Sequence, residues 1–199
     1  MFGKKLSEWG GILAGLVLVA FGIGAIYMGV DGRQTVRENL KAEMITFGST
    51  EDPAVAKYAA QYAEEQVETG AQARAFAQVI REHALEGAGG LTYSQMGRYL
   101  AADDPKSAAG TSDEAAALKD ESGNLVPNQA RNTWVTATAL TTALNMSYMA
   151  EQVALFGIVV GIALLLAGIG FLVLALGGAL RKSTQAARTH ATAAKIASA

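Results

Sequence analysis

Hydrophobic and polar positions divide this chain into unequal parts. Residues 10–30 and 153–180 are two apolar runs without one charged side chain. Each exceeds the roughly 18 residues that mark a membrane-spanning helix. The second run would make about 42 Å of helix at ~1.5 Å per residue, against a hydrocarbon core of ~30 Å. It must tilt or project beyond the membrane. Upstream, residues 129–150 hold neither Gly nor Pro, so a continuous helix from Gln129 to Lys182 is predicted. The first run is predicted to continue as helix to Glu43, despite Gly32.

Between the runs, three shorter amphipathic helices are predicted. Asp52 is an N-cap with Pro53 at the first helical position, where a missing N–H costs nothing. Val55, Tyr58, Ala59, Tyr62 and Ala63 then fall on one face, and Gly70 ends the helix. A second helix over 71–86 turns Ala73, Phe76, Ala77, Ile80 and Ala84 to one side, and Gly87, Gly89 and Gly90 stop it. The third spans 93–102 behind a Thr92/Gln95 capping box. Residues 103–128 read as a loose acidic loop with turn signals at Pro105, Gly110 and Gly123-Asn124, and a short helix at 112–119. The fold class is therefore all-α: two transmembrane helices extended by long stalk helices, with a small external helical domain between them.

Composition agrees. The chain is 51% hydrophobic and 17% charged, with no cysteine, whereas soluble domains average about 25% charged. A soluble globular enzyme, a disordered chain and a disulfide scaffold are excluded. Charge then sets topology. Segments 1–9 and 181–199 hold six basic residues, among them Lys4, Lys5, Arg181 and Lys182, against one acid. Residues 31–152 hold ten basic and seventeen acidic residues, a net of −7. Basic residues beside span ends are retained in the cytoplasm. The expected order is a cytoplasmic N-terminus (1–9), a first span (10–30), an extracytoplasmic domain (31–152) with its acidic loop (103–128), a second span (153–180) and a basic cytoplasmic tail (181–199). The expected location is a bacterial plasma membrane. A cleaved signal peptide is the competing reading of residues 1–30, but an apolar run of about 20 exceeds the usual ~7–15 and no small-x-small site closes it. The acidic external segment also argues against nucleic acid as a partner.

Glycine spacing suggests how the spans associate. Gly11, Gly15, Gly22 and Gly29 follow steps of 4, 7 and 7, and Gly157, Gly161, Gly168 and Ala175 repeat them. Each set lies on one helix face. Lipid tails are as apolar as leucine, so membrane helices associate where small residues let backbones approach. The expected pairing is between the two spans of one chain or between spans of neighbouring chains. Neither span contains Asp, Glu, Lys, Arg, His, Asn or Gln, residues that mark transport pathways.

Candidate chemistry is sparse. His83 lies beside Glu82 and Glu86, and a His/Glu pair three apart can ligate metal, but a site needs three or four donors. Its neighbourhood near Ile80 favours a packed, hydrogen-bonded histidine. Asp103 and Asp104, with Asp113, Glu114, Asp120 and Glu121, make an acidic loop that matches no EF-hand spacing. His83, Glu86, Asp103 and Asp104 form the candidate ligand set; no cofactor is expected. No glycine-rich phosphate loop follows a strand, and the Asn145-Met146-Ser147 sequon falls in a predicted helix beside the membrane.

Several motifs carry a resemblance. They are Arg74, Phe76 and Gln78; Arg81-Glu82-His83; Gly89-Gly90 with Thr92-Tyr93, Gln95-Met96-Gly97-Arg98-Tyr99; Arg131-Asn132 with Trp134-Val135-Thr136; and Thr141-Thr142 through Asn145, Ser147-Tyr148-Met149 and Glu151-Gln152. Together, over about Arg33 to Gly178, they resemble a family of two-span membrane proteins of actinobacteria without established activity. Its members are often labelled as aromatic ring-opening dioxygenase subunits. That label implies iron held by two histidines and a carboxylate, and residues 31–152 contain one histidine. Some relatives carry loop cysteines; this chain has none, so no disulfide carries over.

The expected function is an integral membrane scaffold or accessory subunit without chemistry of its own. It would act through helix association with the bilayer, with further copies of itself or with a larger membrane complex. The alternatives are an external ligand- or cation-binding sensor and a subunit of a pore-forming homo-oligomer.

Overall fold

A computed structural model describes residues 2–177 of the chain, with side chains from residue 9 onward. The basic tail 181–199, including Arg181 and Lys182, lies outside the described residues. The all-α class holds. Among the described residues four α-helices carry the fold: α1 (Phe2–Ala42), α2 (Pro53–Tyr58), α3 (Gly70–Gly87) and α4 (Gln129–Leu176). Two 3-10 turns, Ala60–Tyr62 and Tyr93–Gln95, accompany them. Helices α1 and α4 are long and apolar enough to cross a membrane. The chain divides into two compact units, one of residues 1–32 with 153–199, the other Arg33–Gln152.

The first unit is an antiparallel helix pair closed on glycine. Gly11 meets Ala175, Gly15 meets Gly168 and Leu172, Gly22 meets Gly161 and Leu165, and Gly29 meets Ala154 and Ile158. A methyl added to Gly22 would stand 2.7 Å from the Leu165 nitrogen and 2.8 Å from the Gly161 oxygen. One added to Gly168 would stand 2.8 Å from the Gly15 oxygen. Backbone therefore lies on backbone, where nothing flexible can yield. Gly157 is looser, 3.8 Å from the nearest atom. Both stripes face each other within one chain.

The second unit is less helical than its sequence suggests. Asp52 does cap α2, accepting the Ala54 amide at 2.8 Å, but α2 stops at Tyr58. Glu64 turns the chain through a positive φ of 64°. The following segment then pairs with residues after α1: Val67 donates to the Ile45 carbonyl and Phe47 to the Glu65 carbonyl. Extended backbone buries Val67 completely and places Phe47 between Tyr62 and Phe76. Tertiary burial of these two residues outweighs the helical periodicity of 52–70. Gly70 begins a helix rather than ending one, because Thr69 and Gln72 form a capping box at the start of α3.

Residues 93–102 form only the turn Tyr93–Gln95, and the predicted helix at 112–119 is absent. The segment 97–102 lies extended and is stitched on both sides. Tyr99 and Thr111 exchange amide bonds, Leu100 donates to Val126, and Leu118 donates to Leu100. Gly97 must be glycine here, since a Cβ would collide with the Thr111 backbone. The loop 103–128 is thus pinned rather than loose. Asn128, 2% exposed, fastens both its ends. Its side-chain amide donates to the Gly97 and Ala108 carbonyls, at 3.1 and 2.8 Å. Its side-chain oxygen accepts the Ala130 amide at the start of α4.

Two predictions follow from these contacts. Gly22→Ile and Gly161→Ile should each destabilise the detergent-solubilised protein by about 1–3 kcal/mol, as overpacking does, whereas Gly24→Ala, with open space around it, should change stability by under about 0.5 kcal/mol; denaturant titration followed by circular dichroism checks the contrast. Asn128→Ala should cost about 1–3 kcal/mol by orphaning buried carbonyls and should speed amide exchange at Tyr99 and Thr111.

Candidate functional site

The second unit is organised on a carboxylate. Glu151, on α4, is 7% exposed in its side chain. Its Oε1 accepts Arg33 Nε at 2.9 Å and Arg37 Nε at 2.8 Å, both from α1. Its Oε2 accepts the Gly70 amide at 2.6 Å. Arg33 and Arg37 are four apart, so both reach one side of α1. Gly70 is the first residue of α3, where backbone N–H groups lack helical partners and the helix dipole favours an anion. Gly70 is required there: a Cβ would stand 2.8 Å from both Glu151 Oε2 and the Tyr148 Cα. One side chain ties three helices. It is the only charge between residues 132 and 180, a signal readable in the sequence that pointed to no partner.

Above this node a groove runs between α4, α3 and the end of α1. Its lower part, about 550 Å³, is lined by Leu40, Ile45, Phe76, Ile80, Leu140 and Leu144 among others. A neighbouring part of about 390 Å³ shares Ile80 and Leu140 and adds His83, Asn132, Thr133 and Thr136. Periodicity could not reveal it, because it depends on how far α3 and α4 diverge.

The predicted ligand set does not converge. His83 is half-exposed rather than packed, since Ala84 and Ile80 take the inward positions of α3. Its Nε2 lies 2.9 Å from Asp52 Oδ2. Glu82 turns away to Lys57 Nζ at 2.9 Å and accepts the Tyr58 hydroxyl at 3.1 Å. Glu86, Asp103 and Asp104 are exposed. Two acids of the loop serve local turns: Asp113 accepts the Ala115 amide, and Asp120 accepts those of Ser122 and Asn124. Among the described residues no three His, Asp or Glu side chains gather as a metal site would require.

Electrostatics follow the same pairs. The hydrogen bond from His83 holds the Asp52 carboxyl below its ordinary 3.8, with the Ala54 amide adding to it. The Lys57 ammonium and Tyr58 hydroxyl likewise lower Glu82. Among the described residues four arginines stand over aromatic rings: Arg74 over Tyr148, Arg81 over Trp134, Arg98 over Tyr99 and Arg131 over Tyr93.

The remaining surface feature is α4 between Arg131 and Glu151. Residues 132–150 carry no charge. Val135, Leu140, Met146 and Met149 are each 52% exposed. The polar side chains there bond to their own helix: Thr133 to Gln129, Thr136 to Asn132, Thr142 to Thr138, Asn145 to Thr141 and Ser147 to Ala143, each onto a carbonyl oxygen. Such back-bonding leaves hydroxyls with little need of water.

Compared with known proteins, the chain matches no protein-family model, no curated protein and no solved structure.

Replacing Glu151 with Gln should lower stability by about 1–3 kcal/mol, because two guanidinium groups and a helix terminus lose their counter-charge. Arg33→Ala should cost less, since Arg33 is 43% exposed and Arg37 remains. The Asp52 carboxyl should titrate below 3.8 by carbon NMR and move back towards that value in His83→Ala. Because the folded value is the lower one, its stabilising effect is complete above 3.8 and lost as pH falls through the folded midpoint.

Proposed function

We propose that this chain is an integral membrane scaffold or accessory subunit, working through helix association and not through chemistry of its own. The hairpin of residues 10–30 and 153–180 anchors it in a bacterial plasma membrane. Both termini are cytoplasmic and 31–152 extracytoplasmic, a reading supported by basic flanks and an acidic interior segment. The observation that carries the proposal is the uncharged, half-apolar face of α4 over 132–150. Contiguous exposed apolar surface on a protein marks a contact with another molecule. With the glycine stripes engaged within the chain, this face is what the protein offers to others.

A second reading is favoured by the groove. Its walls of Leu40, Ile45, Phe76, Ile80 and Leu144, with Asn39, Glu43 and Ser147 among them, suit a largely apolar ligand with a polar end. The chain would then be an external binding module.

Native mass spectrometry of the complex gently extracted from membranes decides between them. The scaffold reading expects a discrete assembly heavier than the 20.6 kDa chain, either a fixed multiple or a fixed ratio with other subunits. A bare 20.6 kDa species would overturn it. A retained small molecule that is lost in Ile80→Glu would establish the binding module instead.

A further inference from the structure

The exposed face of α4 has a register. Val135, Ala139, Thr142, Met146 and Met149 are spaced 4, 3, 4 and 3 residues apart, and all five are exposed. This is the repeat of a coiled-coil seam, in which each position seats into a facing helix. None of the five lines the groove. We propose that this seam pairs with the same seam of a second copy of the chain, parallel and in register. The proposal rests on the scaffold reading and names its partner.

Three observations favour a second copy. Residues 31–152 carry a net charge of −7, so two copies repel across any surface that displays those acids. The α4 seam displays none, so within the unit Arg33–Gln152 close approach along it avoids that repulsion. Next, a membrane anchor gives every copy one orientation and one height. Identical residues then meet identical residues, the condition for a two-fold interface built from one patch. Finally, the seam chemistry suits self-pairing. Ala139 lets backbones approach, the two methionines adapt to each other, and the Thr142 hydroxyl is already bonded to the Thr138 carbonyl at 2.7 Å, so covering it strands no donor.

The absence of cysteine makes the test direct. Single substitutions Thr142→Cys and Met149→Cys sit on the seam; Thr136→Cys and Ala143→Cys sit on the groove side of the same helix. Each is oxidised in native membranes with the full chain. A disulfide joins residues whose Cα atoms lie within about 7 Å. The expected result is at least about tenfold more disulfide-linked dimer at the seam positions than at the groove positions. Equal yields at all four would indicate random collision and overturn the proposal. Met146→Glu, which sets like charges face to face, should abolish the dimer in native mass spectra while Leu140→Glu retains it. Failure to cross-link at the seam, with a homo-oligomer still present by mass, would place the interface elsewhere and leave the scaffold reading intact. A fixed-ratio assembly with other proteins and no seam cross-link would also refute self-pairing alone. A monomer by mass would defeat both readings.

Discussion

Within the second unit, α1, α3 and α4 meet at the Glu151 carboxylate. An ionised acid at 7% exposure is costly unless each of its oxygens is satisfied. Here Oε1 takes two guanidinium groups and Oε2 takes the amide at the head of α3. The requirement works in both directions. Arg33 and Arg37 fix the rotation of α1, Gly70 fixes where α3 begins, and α4 must present position 151 to both. The apolar core of Leu40, Val55, Val67, Ala73 and Leu144 is then assembled from helices whose relative rotation is already restricted. Alanine-rich faces provide little shape specificity of their own, and a polar node supplies the missing register.

Glycine performs the corresponding task in the first unit. Hydrophobicity cannot hold two apolar helices together in lipid, so contact depends on closeness. Gly15, Gly22 and Gly29 on α1 and Gly161 and Gly168 on α4 are buried, and carbonyl oxygens lie where side chains would be. Using both stripes on each other leaves large side chains such as Phe21, Phe156 and Leu166 facing outward, an apolar surface of the kind that helices able to cross a membrane present. With both stripes engaged within the chain, the apolar side chains of α4 at Val135, Met146 and Met149 stay exposed.

Local rules were enough wherever a segment's environment was uniform. The long apolar helices and the Asp52 cap follow from residue order alone, but the α3 face does so only in part, because Ala75 and Val79, outside the predicted stripe, are buried while Phe76 and Ile80 stay half-buried. The sequence misleads where backbone bonds cross between distant segments. Residues 59–69 have a helical pattern, yet burial of Val67 against Phe47 demands extended chain. Residues 93–102 have a capping box and an apolar face, yet Gly97 and Tyr99 lie against Thr111, fourteen and twelve residues away. The acidic loop shows why composition is a poor guide to order: read as loose, it is held by backbone bonds to 97–102, and two of its exposed acids, Asp113 and Asp120, brace turns. Of the candidate site, the lone charge at 151 was visible, but its partners come from 114 and 118 residues earlier.

That separation bears on how the molecule is made. The anion that closes α1 against α3 belongs to a helix synthesised last, and the Gly70 amide waits 81 residues for it. Chain emerging from a ribosome up to the end of the acidic loop lacks the group that neutralises Arg33 and Arg37, and lacks Leu144 and Trp134 for its two apolar clusters. Contacts so distant in sequence form only after a large loss of chain entropy. The unit Arg33–Gln152 therefore closes only once α4 has been made. A chain cut short before α4 would leave Arg33, Arg37 and the Gly70 amide without their anion and both apolar clusters incomplete, so the last helix made is the one that completes the fold of the segments before it.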